Sequence, residues 1–146
     1  MLKTLALKGV GPASAFGPVE FAPRLNFITG DNGLGKSFLL DIAWWALTRS
    51  WARGMMAMPP LAEKKPSIAY SYSKATPGDV EETSVFKRAE QFWPTKLGRP
   101  PIPGVVIYAA VDGSFAAWDP ARNYWKDADA MGRPRAFNFS AEQVWN

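Results

Sequence analysis

Eight residues, Gly30-Asp31-Asn32-Gly33-Leu34-Gly35-Lys36-Ser37, satisfy the pattern G-x-x-x-x-G-K-[ST], the spacing of a phosphate-binding loop. Each residue type has a physical reason to be there. Glycines reach backbone conformations closed to other residues, so successive N–H groups can turn inward on an anion, and they keep side chains out of its space. A helix beginning at Ser37 would add unpaired N–H groups and a partial positive charge to the same concavity. Lys36 would then reach the outer phosphates, and the Ser37 hydroxyl would complete the coordination of a Mg²⁺ ion that bridges phosphate oxygens. The expected binding residues are therefore Gly30, Asp31, Asn32, Gly33, Leu34, Gly35, Lys36, Ser37 and the following Phe38, with Ser37 as metal ligand. No residue is assigned a catalytic role.

Positioning such a loop takes a strand before it and a helix after it. Arg24 to Thr29 is a brief β-prone run that stops at Gly30. Ser37 to about Arg53 contains neither Gly nor Pro and is the best helix in the chain. Only Asp41 interrupts its apolar residues before Thr48, which predicts a helix buried between layers. Leu2, Leu5, Leu7 and Val10 predict a first strand, closed by Gly9, Gly11 and Pro12. Phe16 to Phe21 makes a second, and Ser67 to Ser73 alternates at a period of two as a third. Val80 to Trp93 suits strand or helix by turns and is read as strand. Val105 to Val111 and Ser114 to Trp118 flank Asp112-Gly113 as a hairpin with a type I′ turn. Ser140-Ala141-Glu142-Gln143 fits a capping box that opens a final helix.

Hydrolysis would need an acidic residue at the end of a second strand to hold Mg²⁺. The only apolar run that ends in an acid is Val105 to Val111, followed by Asp112. The same Asp112-Gly113 pair is the strongest short-range hairpin signal, and the turn is the reading adopted here. Trp44-Trp45 is read as core. Arg122, Arg133 and Arg135 with Tyr124, Trp125 and Phe137 could form a nucleic-acid surface, but a solvated face explains them equally well. The Lys64-Lys65 pair beside Glu63 is read as solvated charge.

Composition sets the outer limits. The 146 residues amount to one domain's worth, with 47% hydrophobic and 21% charged residues and a net charge of +4; this excludes disordered and coiled-coil classes. Zero Cys and zero His remove disulfide scaffolds, thiolate metal sites and the commonest catalytic base. The apolar runs fall well short of the roughly 20 residues of a membrane span, and the N-terminus lacks a secretory signal. A cytoplasmic protein with no membrane partner is the expectation.

The stretch Phe21 to Asp41, with Asn26-Phe27-Ile28-Thr29 leading into the glycine loop and Phe38-Leu39-Leu40-Asp41 after it, resembles the N-terminal part of ABC-type AAA-family ATPases of the RecF/SMC-like head group. The segment Val105 to Trp125 is also similar to a subgroup found in prokaryotic defence or DNA-maintenance loci. The resemblance implies an α/β P-loop NTPase fold with an antiparallel β layer and one buried helix after the phosphate loop. It implies ATP and Mg²⁺ as cofactors, an adenine pocket partly built by the loop near Lys8 to Gly17, and a homodimer or second ATPase half as partner, with DNA or an effector protein under control. Such ATPases carry a Q-loop, a signature segment, an Asp-Glu strand end and often a switch histidine. None is identifiable here, so the expectation is an incomplete domain over residues 1–146. Two alternatives stand beside it: a small self-contained P-loop kinase or hydrolase using Asp112, and a non-catalytic half that pairs with a separately encoded second half.

Overall fold

The structure, a computed structural model, describes residues 1–12, 14–33, 35–52, 54–73, 78–96, 104–119 and 135–145. It contains seven strands and two helices among these residues: β1 (Leu2–Lys8), β2 (Ala15–Glu20), α1 (Lys36–Thr48), β3 (Ser67–Ser73), β4 (Asp79–Val85), β5 (Val106–Ala109), β6 (Phe115–Trp118), β7 (Phe137–Phe139) and α2 (Ala141–Trp145). The chain divides into two compact units. The first comprises Met1–Ala43 and Met56–Arg99, the second Trp44–Met55 and Pro100–Asn146.

The first unit holds a four-stranded antiparallel sheet in the order β2-β1-β3-β4. Its register follows the alternation of β3: Leu5 pairs with Tyr70 and Leu7 with Ile68, so that the apolar residues share one face. Leu5, Val10, Ile42, Ile68 and Trp93 are fully buried in this unit. The same face carries one carboxylate. Glu82, paired with Tyr70 across β3 and β4, accepts hydrogen bonds from the hydroxyls of Tyr70 at 2.7 Å and Tyr72 at 2.8 Å. The Lys96 ammonium lies 3.9 Å away. A buried carboxylate so satisfied fixes strand register, because a slip would strand it without partners.

The second unit is built on the antiparallel sheet β5-β6-β7. One face packs Ala116 and Trp118, with Val106, Tyr108 and Ala136, against Trp44 and Ala52. Helix α1 contributes to both units, Lys36–Ala43 to the first and Trp44–Thr48 to the second. It ends five residues before the expected Arg53, which lies outside the described residues. Arg49 adopts a left-handed φ of +59°, and the Thr48 hydroxyl turns back to donate to the Trp44 carbonyl while accepting from the Ser50 N–H. Side-chain bonds of this kind compete with helix continuation. Leu40 is half exposed, so the helix is buried on most sides rather than all round.

Three expectations are corrected. Residues 24–29 form no strand; Leu25 and Phe27 are 68% and 85% exposed. A strand exists only through its ladder, and among the described residues none pairs with this run. Instead the Asn26 side chain clasps the backbone of Ala22, accepting from its N–H and donating to its carbonyl. The strand read over 80–93 stops at Val85, and Lys87 and Phe92 close a turn beyond it. The β5–β6 loop is not a type I′ turn. Ala110 N–H donates to the Ser114 carbonyl and Gly113 N–H to that of Ala110, and only Gly113 has positive φ, +83°. That is the three-residue loop with glycine in the left-handed position. At the C-terminal end both capping-box bonds are present: Gln143 N–H to Ser140 Oγ at 3.2 Å and Ser140 N–H to Gln143 Oε1 at 2.9 Å.

Candidate functional site

The glycine loop 30–37 leads directly into α1. Three of its glycines take backbone conformations that side-chain-bearing residues rarely adopt: φ is +146° at Gly30, +87° at Gly33 and +85° at Gly35. Leu39 N–H donates to the Gly35 carbonyl at 2.9 Å, the first bond of the helix. The amides of Lys36, Ser37 and Phe38 therefore belong to the first turn, where N–H groups have no helical partner.

Lys36 closes the loop. Its ammonium donates to the carbonyl oxygens of Gly30 at 2.5 Å and Asp31 at 2.7 Å, bridging the start of the loop from its far end. An ammonium has three donors, so one is left for a ligand. Asp31, Asn32 and Gly33 are exposed, and a Cβ built on Gly33 would meet nothing within 4 Å. The loop thus opens onto free space. Ser37 is exposed beside Lys36. Leu34, one of the expected binding residues, lies outside the described residues.

Pro12 is a part of the site that the motif does not reveal. A Cβ on Gly35 would come within 2.9 Å of Pro12 Cγ, and one on Gly11 within 2.6 Å of the Phe38 ring. The turn between β1 and β2 thus lies against the loop and the first turn of α1, and both contacts need glycine. Beside it is a cavity of about 350 Å³ lined by Leu7, Val10, Pro12, Phe16, Ile28 and Phe38, with Gly35 and Lys36 at its wall. Its size and apolar lining fall in the range of small-molecule pockets. The glycines and proline of 9–12 were legible as a turn, but their contact with the loop depends on how β1 folds back.

Asp112 belongs to the second unit. Its Oδ1 accepts from the Ser114 N–H at 3.0 Å and from the Ser114 hydroxyl at 2.6 Å, which ties it to the hairpin loop. Among the described residues no group of three His, Cys, Asp or Glu side chains is placed to hold a metal ion. Arg122, Tyr124, Trp125 and Arg133 lie outside the described residues. No helix among the described residues is long and apolar enough to cross a membrane. Comparison with protein-family models, with curated proteins and with solved structures returns no match for this chain.

Proposed function

We propose that the loop 30–37 binds the triphosphate of ATP with Mg²⁺, as the nucleotide-binding part of a cytoplasmic ABC-type P-loop ATPase. One observation carries the reading. Lys36 bridges the carbonyls of Gly30 and Asp31 at the front of α1, with one ammonium donor left over beside the exposed Asp31, Asn32 and Gly33 and the first-turn amides of the helix. Backbone N–H groups and a cation gathered in this way suit an anion.

The residues present fit the ligand. The Ser37 hydroxyl is exposed at the start of the helix and can supply one oxygen to Mg²⁺, an ion that takes its other ligands from phosphates and water. Bound Mg²⁺ would offset phosphate charge. The amides of 33, 35, 36 and 37 orient the phosphates, Lys36 holds charge between the outer two, and the apolar cavity beside Pro12 and Phe38 has room for a base. Fluorescence titration with an N-methylanthraniloyl-ATP probe in Mg²⁺ tests this. Lys36→Ala should weaken binding roughly ten- to hundredfold, the loss of one charge-assisted hydrogen bond of about 1.5–3 kcal/mol. Equal affinities would remove the assignment.

A second reading has its own observation. Residues 24–29 carry exposed Leu25 and Phe27 with no ladder partner among the described residues. This favours a non-catalytic half completed by a separately encoded partner over a self-contained kinase, since Asp112 is held by its own hairpin loop. On this reading the chain alone binds ATP and turns it over negligibly. Phosphate release in a malachite-green assay with the isolated chain distinguishes the two.

A further inference from the structure

Lysines spread through the sequence meet at one end of the first sheet. Lys8 ends β1 and pairs with Ser67 of β3, and Ser67 pairs with Val85 of β4. The ladder continues one step through the bond from Phe86 N–H to the Pro66 carbonyl, so Lys65 and Lys87 follow directly on the last joined pair, with Lys87 itself bridging Phe92. Lys8 lies on the face away from the core, and Lys65 and Lys87 adjoin that same end of the sheet. All three are exposed, as is Lys64. The loop that carries Lys64 and Lys65 is fixed, because the Arg88 guanidinium donates to the carbonyls of Pro60 and Glu63. The acids nearby are Glu63, whose Oε1 accepts from the Lys65 N–H at 3.3 Å, and Glu90 in the turn beyond Lys87. Glu20, Asp79 and Glu81 lie toward the opposite end of the sheet, across from Thr4, Ser73 and Ser71.

We propose that this strip of Lys8, Lys64, Lys65 and Lys87 binds the phosphodiester backbone of a nucleic acid. Four exposed cations gathered at one end of the sheet match a polyanion of closely spaced charges. The next outward row is Ala6, Ala69 and Thr83, with no aromatic side chain to enter a bilayer interface, which argues against a lipid surface. The contacts are to backbone only, so binding is independent of base sequence. The strip is separate from the nucleotide loop and does not rest on that reading.

Fluorescence anisotropy of the full chain with a fluorescein-labelled 20-base-pair DNA duplex tests it. Four phosphate contacts predict that affinity falls roughly a hundredfold between 50 and 200 mM salt. The triple variant Lys8→Gln, Lys65→Gln, Lys87→Gln should lose most of that salt dependence and bind roughly a hundredfold or more weaker at 50 mM. The corresponding arginine variant should retain both, which separates charge from misfolding. Lys3→Gln, toward the acidic end, should bind the duplex like wild type. The proposal is overturned by no duplex binding at 50 mM salt, by an unchanged salt slope in the triple glutamine variant, or by binding to phosphatidylserine vesicles in place of the duplex.

Discussion

Gly33 and Gly35 both have φ near +85°, yet they face different surroundings. Alanine at Gly33 meets open space and bears only the cost of a left-handed backbone, about 1–2 kcal/mol. Alanine at Gly35 adds a contact of 2.9 Å with Pro12. Urea denaturation should therefore find Gly35→Ala the more destabilising of the two, with Gly33→Ala close to the backbone cost alone. The glycines and Lys36 were legible in the sequence because their chemistry is local: residue type at fixed spacing sets both conformation and charge. Pro12 was not legible from residue type or spacing: only the resemblance set the loop near Lys8 to Gly17 beside the nucleotide, and the contact of Pro12 with Gly35 arises once β1 and β2 have paired. The capping pair Ser140 and Gln143 was legible for the same local reason as the loop.

At the scale of elements, buried tryptophans offer a controlled comparison. The Trp93 indole N–H donates to the Ala57 carbonyl at 2.8 Å, whereas Trp118 Nε1 is buried with no hydrogen-bond partner among the described residues. Trp93→Phe strands a buried carbonyl, whereas Trp118→Phe removes an unsatisfied donor. Thermal denaturation should show the first costing about 1–3 kcal/mol more than the second, beyond the similar loss of ring volume. In the first sheet, Glu82→Ala leaves the hydroxyls of Tyr70 and Tyr72 buried without this acceptor. It should cost about 2–4 kcal/mol by chemical denaturation, with Glu82→Gln intermediate. Strand β3 was readable from its alternation, and β1 and β2 from short apolar runs bounded by turn residues. The run 24–29 is also β-prone but has no ladder partner among the described residues, and strand formation depends on the partner as much as on the segment. Strand β7 has only three residues, too few for any period to register.

Over the whole molecule, the chain forms two units with separate buried residues, although its length suggested one domain. Each unit should respond to damage in its own core. Trp118→Ala, at a site with no exposure, should lower amide protection in β5, β6 and β7 while β1 and β3 keep theirs in native-state hydrogen exchange. The division was not legible because it falls within α1, between Ala43 and Trp44, where the sequence is uniformly apolar. The central claim concerns inward-facing amides that grip a triphosphate, and amide NMR reports on them directly. Titrating ¹⁵N-labelled protein with inorganic triphosphate in Mg²⁺, and then with ATP, should shift Gly33, Gly35, Lys36 and Ser37 in both cases, while adenosine alone leaves them in place. If those four signals stay still at saturating ATP, or move with adenosine and not with triphosphate, the loop does not hold phosphate and the account fails.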